Sequence, residues 1–153
     1  MSIHEIKQDI FFQKIAEFVI SNDKDEIFVL KGYAGTGKTT IISTLVNYLQ
    51  KADKKYVLLA PTGRAAKVIS NYSQKPAFTI HKRIYFPKKS KSGGVSFTLQ
   101  PNKFKNTIFI VDESSMISDS YQETKLYENG SLLDDLMFYV DAGQNCKIIF
   151  ISN

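Results

Sequence analysis

A short apolar run, Ile27-Phe28-Val29-Leu30, breaks into Gly32-Tyr33-Ala34-Gly35-Thr36-Gly37-Lys38-Thr39-Thr40, and Thr39 to Gln50 then carries Ile41, Ile42, Leu45, Val46 and Leu49 at helical spacing. A strand, a Gly-x-x-x-x-Gly-Lys-Thr turn and a helix in that order predict a P-loop that holds a nucleoside triphosphate. Glycines let successive backbone N–H groups curl around phosphates, and the helix N-terminus turns its positive dipole end toward them. Lys38 reaches the β and γ phosphates as a point charge, and the Thr39 hydroxyl can take a place on Mg²⁺. The candidate nucleotide contacts are therefore Gly32, Ala34, Gly35, Thr36, Gly37, Lys38, Thr39 and Thr40, with Lys38 also a candidate catalytic residue.

Three more apolar runs follow at wide spacing: Tyr56 to Ala60, Thr107 to Val111 and Lys147 to Ile151. Like Ile27 to Leu30, they are near-continuous rather than alternating, as expected of strands buried on both faces. Helical patterns over Thr39 to Gln50, Gly63 to Tyr72 and Leu132 to Asp141 imply βαβ crossovers and a mainly parallel α/β sheet. Upstream, His4 to Ile20 reads as an amphipathic helix with Ile6, Ile10, Phe11, Ile15, Phe18 and Val19 on its apolar stripe. At 153 residues with 43% hydrophobic content the chain reads as one globular domain. Its single cysteine, Cys146, excludes a disulfide framework and reads as a buried structural thiol. With no apolar run near 20 residues and no leader-like start, the expected location is cytoplasmic.

Ile108-Phe109-Ile110-Val111 runs directly into Asp112-Glu113. Beside a P-loop, such an acid pair assigns Asp112, with Thr39, to the metal and Glu113 to the attacking water as catalytic base. Two stretches break the α/β rhythm. Pro87 to Pro101, around Ser92-Gly93-Gly94, predicts a small inserted hairpin within a basic insertion at about 85–105, and Ser118 to Gly130 is polar and loop-like. The net charge of +5 is concentrated in the acid-free stretch that holds Lys82, Arg83, Lys88, Lys89, Lys91, Lys103 and Lys105, which suits either a polyanion or a solvated loop.

Gly32 to Thr39, Ala60-Pro61-Thr62-Gly63-Arg64-Ala65-Ala66-Lys67, Thr79-Ile80-His81 and Val111-Asp112-Glu113-Ser114-Ser115-Met116 form an ordered series. In that series the chain resembles the N-terminal RecA-like motor domain of superfamily-1 DNA helicases, on the RecD-like and Dda-like branch. The resemblance spans about Gln8 to Ile151. It implies ATP and Mg²⁺ as cofactors, and single-stranded DNA or a DNA fork as partner. It places Thr62, Gly63 and Arg64 on the sugar-phosphate backbone, with Thr79 and His81 in a second DNA-contacting motif. A strand-to-helix turn agrees with the first assignment, since it offers a hydroxyl, backbone N–H groups and a helix N-terminus to a phosphate. Tyr85, Phe86 and Phe97 read either as bases' stacking partners or as a small core of the insertion. The resemblance also implies an adenine-reading glutamine, best matched by Gln8 with Gln13 as the alternative.

Lys147 to Ile151 resembles the strand leading to the family's third motif, but Ser152-Asn153 stands where Gly-Asp is usual. A fragment is therefore expected, one RecA-like domain over 1–153, lacking the second domain with its arginine fingers and hydrolysing little ATP alone. The resemblance further implies the strand order 1-4-3-2 in chain order, with helices on both faces. Ile27 to Leu30 would then be an edge open to self-association. The rival readings are another P-loop NTPase, kinase-like, and a non-hydrolysing nucleic-acid-binding domain.

Overall fold

The structure, a computed structural model, describes residues 3–21, 27–31, 36–87, 96–112 and 127–152. In chain order the elements are α1 (Ile3–Ile20), β1 (Phe28–Lys31), α2 (Thr36–Lys51), β2 (Lys55–Ala60), α3 (Gly63–Ser73), β3 (Ala77–Thr79), α4 (Ile80–Ile84), β4 (Thr107–Asp112), α5 (Leu132–Ala142) and β5 (Lys147–Ser152). All strand pairings are parallel, in the order β1-β5-β4-β2-β3. The four expected strands keep their expected relative order. What differs is a fifth strand, β3, added outside β2 through Leu58↔Ala77, Leu59↔Phe78 and Ala60↔Thr79. Three residues after Pro76 hold too little sequence for a period to show, and β3 forms because β2 offers it a ladder.

Alternation along the strands sorts the core into two layers. Leu58, Ala60, Ile108, Ile110, Ile149 and Ile151 pack against Ile15, Phe18, Ile42, Leu45, Leu49 and Ile69 of α1, α2 and α3. Val57, Leu59, Phe109, Val111, Ile148 and Phe150 pack on the opposite face with Ile80 and Ile84 of α4 and Leu136, Tyr139 and Val140 of α5. Both faces are covered, which is why these strands read as unbroken apolar runs.

Within α1, Phe11, Ile15, Phe18 and Val19 face the core as expected, but Ile10 is 47% exposed. One residue corresponds to about 100° of helix rotation, which turns Ile10 off the stripe that Phe11 and Ile15 define. The helix is anchored at its far end by Lys147, whose buried ammonium donates to the carbonyls of Phe18, Val19 and Ser21. Phe18 O also accepts the Ser21 N–H at 3.3 Å, and Lys147 adds a donor where the helix terminus leaves carbonyls short of partners.

The root of the insertion is antiparallel: Tyr85 bridges Leu99, Phe86 N–H donates to Thr98 O at 2.9 Å, and Gln100 N–H donates to Ile84 O at 2.8 Å. The remainder of the expected hairpin, residues 88–95, lies outside the described residues. α5 ends at Gly143, where room rather than backbone angle is limiting. A Cβ there would stand 2.5 Å from the Asn102 amide nitrogen and 2.7 Å from the Cys146 sulfur. Cys146 is buried, and burial raises its thiol pKa, in keeping with a structural role. At the other margin of the sheet, Ile27 is 46% and Val29 54% exposed on and beside β1.

Candidate functional site

Because every strand runs the same way, their carboxyl ends share one edge. There Lys31 stands beside Ser152, Ile151 beside Asp112, Val111 beside Leu59, and Ala60 beside Thr79. In an open α/β sheet this is the edge at which ligands bind. β5 lies between β1 and β4. Lys31 at the end of β1 and Asp112 at the end of β4 are thus two strand spacings apart, about 10 Å.

Of the P-loop residues, Gly32, Ala34 and Gly35 lie outside the described residues, while Thr36, Gly37 and Lys38 open α2. Thr39 is half-buried and Thr40 exposed in the same first turn. Asp112 is only 6% exposed, and its position two residues after Ile110 places it on the α2 and α3 face of the sheet. Burial raises the pKa of Tyr72 on α3, and the Asp112 charge raises it further, so the acid's field reaches that helix. Glu113 lies outside the described residues. Gln8 falls within α1, while the alternative, Gln13, donates to Glu17 across one exposed helical turn at 3.4 Å.

The donor set fits Mg²⁺. Carboxylate and hydroxyl are hard oxygen ligands, and a nucleotide-bound Mg²⁺ takes only one or two of them from protein, with phosphates and water supplying the rest. Among the described residues no group of three His, Cys, Asp or Glu side chains converges on a metal position. Asp112 with Thr39 matches that economy.

Thr62 and Thr79 share one local design. Each caps a helix: Thr62 Oγ1 accepts from Ala65 N–H at 3.1 Å, and Thr79 Oγ1 accepts from Lys82 N–H at 3.1 Å. Each hydroxyl keeps its proton for an outside acceptor. Thr62, Gly63 and Arg64 are all exposed, and the space a Cβ of Gly63 would enter is open. A groove of about 410 Å³ runs from Gly63 and Lys67 past Ala77 and Phe78 to Thr79 and Lys82. A second, of about 550 Å³, shares Thr79 and Lys82 and continues past His81 to Phe86 and Phe97. Gly63 thus lines the first groove, His81 the second, and Thr79 and Lys82 border both.

His81 is half-buried in an aromatic cluster. Its Nε2 lies 3.2 Å from the Tyr127 hydroxyl, and its ring meets Phe97 edge-on at 5.0 Å. Phe97 stacks on Tyr127 at 5.2 Å and leans on Tyr85 at 5.0 Å. Tyr85 and Tyr127 are buried, which puts them in the insertion's core, whereas Phe86 is 50% exposed beside the groove. Arg83, expected to add charge beside His81, instead lies over the Phe78 ring at 4.0 Å. Stacking on that ring turns the guanidinium inward, and Lys82 supplies the exposed charge. Tyr127 and the buried Asp135 are participants that the sequence reading missed, the former inside a stretch taken as polar loop.

A parallel sheet with a glycine-rich segment between β1 and α2 and a buried acid ending the strand two places away is the architecture of RecA-like P-loop domains. A family model described as an AAA domain matches residues 15–148. The chain belongs to that family, as a motor domain of the superfamily-1 branch that holds RecD and Dda. Similar proteins include the RecBCD enzyme subunit RecD of Buchnera aphidicola subsp. Acyrthosiphon pisum, 29% identical across 92% of this chain and 29% of its own length. The ATP-dependent DNA helicase dda of Enterobacteria phage T4 is 33% identical across 61% of this chain and 22% of its own length. The multifunctional conjugation protein TraI of Escherichia coli K12 is 30% identical across 71% of this chain and 6% of its own length. The chain thus spans less than a third of each of these relatives. Among the described residues no helix is long and apolar enough to cross a membrane.

Proposed function

We propose that this chain is the ATP-binding half of a cytoplasmic DNA helicase motor, coupling ATP hydrolysis to movement along single-stranded DNA. The observation that carries this reading is a pair of adjoining grooves running from Gly63 to Phe97, which share Thr79 at the end of β3, on the sheet edge where β1 also ends. In this reading Gly32, Ala34, Gly35, Thr36, Gly37, Lys38, Thr39 and Thr40 hold the triphosphate, and Gln8 meets adenine. Thr39 and Asp112 hold Mg²⁺, which neutralises charge developing on the phosphates. Glu113 takes the proton of the attacking water. Thr62, Gly63, Arg64, Thr79 and His81 hold the DNA strand, with Lys82 screening its phosphates.

Separate binding measurements test the two halves. A fluorescent ATP analogue with Mg²⁺ and a fluorescein-labelled oligodeoxythymidylate should each bind the chain. Lys38→Ala should weaken the nucleotide about 100-fold and leave the oligonucleotide within about twofold, as expected for loss of one charge-assisted phosphate contact. Arg64→Ala should do the reverse and flatten the salt dependence by about one unit of slope. Parallel loss of both ligands in either variant would remove the reading.

The half-exposed Ile27 and Val29 also support self-association through β1, an edge whose described pairing is with β5 alone. Light scattering should show mass rising with concentration; one monomer mass throughout would exclude it.

A further inference from the structure

Asp135 is fully buried on α5, yet its carboxyl group joins three separate segments. One oxygen accepts the Tyr85 O–H at 2.6 Å, and the other accepts Asn129 N–H and the Asn129 side-chain amide, each at 2.8 Å. A buried acid is costly unless hydrogen bonds compensate it, and here three donors do. Tyr85 is the hinge of the insertion's root. Its backbone bridges Leu99, its N–H donates to His81 O, and its ring leans on Phe97 and stands 5.7 Å from His81. Tyr85, His81 and Phe97 all line the second, aromatic groove. Asn129, on the other oxygen, is two residues after Tyr127, which stacks on Phe97.

We infer that Asp135 is a positioning residue for single-stranded nucleic acid: through the Tyr85 hydroxyl it fixes the ring orientation that keeps the His81 and Phe97 faces at that groove. A tyrosine ring held only by packing can swing about χ2 and slide with its neighbours, whereas a hydroxyl anchored to a carboxyl group on another element sets both tilt and depth. Asp135 touches no ligand itself. Its effect is transmitted by Tyr85, and this inference rests on the reading that the grooves hold a DNA strand.

The test uses the full chain with labelled oligodeoxythymidylate and a fluorescent ATP analogue with Mg²⁺ as probes. Tyr85→Phe removes the hydroxyl and keeps the ring; Asp135→Leu keeps about the same volume and removes the oxygen that accepts the Tyr85 O–H. Each should weaken the oligonucleotide about tenfold, the size of one lost base stack, while nucleotide affinity stays within about twofold. The double variant should be no weaker than the worse single one, because both remove the same contact. A purely structural role predicts instead that both affinities fall together with the melting temperature, and that outcome overturns the inference. So does wild-type oligonucleotide affinity in Tyr85→Phe. If the unaltered chain binds the ATP analogue but not the oligonucleotide, the DNA reading itself fails and this inference falls with it.

Discussion

Glu113→Gln, in a chain that carries the second α/β domain, is expected to lower ATP turnover about 10³-fold while leaving ATP affinity within about twofold, the scale of a lost general base. Glutamine keeps the size and can still orient a water molecule, but it cannot take the proton. The measurement is steady-state phosphate release with saturating oligodeoxythymidylate, paired with equilibrium binding of a fluorescent ATP analogue. Retained turnover would remove Glu113 as base and return the non-hydrolysing alternative. The longer chain is specified because, in P-loop NTPases, an arginine supplied from outside the nucleotide-holding sheet contributes about 10³ to 10⁵ in rate.

The second large effect is on stability. Lys147→Met should lower the melting temperature by about 5–15 °C, through loss of about 2–4 kcal/mol. Methionine fills most of the lysine volume, so the loss is polar. The carbonyls of Phe18, Val19 and Ser21 at the end of α1 would lose the ammonium donor that now serves all three. Against this stands relief from burying an ammonium group, which limits the effect without cancelling it, since Phe18 and Val19 stay buried. Calorimetry decides the matter, and a melting temperature unchanged within about 1 °C would show the clamp contributes nothing.

Legibility in the sequence follows the length of each pattern. The four strands, each four to six residues long in the structure, and the three longer crossover helices stood out because both faces of the sheet are covered. β3 and α4, three and five residues long, are too short to show a period, and the Thr79-Ile80-His81 motif was placed without its local structure. Asp135 was legible in principle. Leu132, Asp135, Leu136, Tyr139 and Val140 occupy one helical stripe, so the acid sits where an apolar residue is due. Lys147 carried the same kind of signal, sharing parity with Ile149 and Ile151 on a buried strand. Arg83 carried no such mark. Its inward turn depends on Phe78 of β3 and on Phe104, 21 residues downstream, whose proximity only the fold creates.

The position of β5 also sets an order of events. It follows the other described strands in sequence, yet it lies between β1 and β4 and is the described partner through which β1 joins the sheet. A chain growing from its N-terminus has made the P-loop and Asp112 long before residues 147–152 emerge. Until then β2, β4 and β3 can pair, but β1 has no place beside them. Lys31 at the end of β1 and Asp112 at the end of β4 reach their final separation only when this strand slides into the gap. If the proposed nucleotide site spans these two strand ends, nucleotide capture would wait on β5.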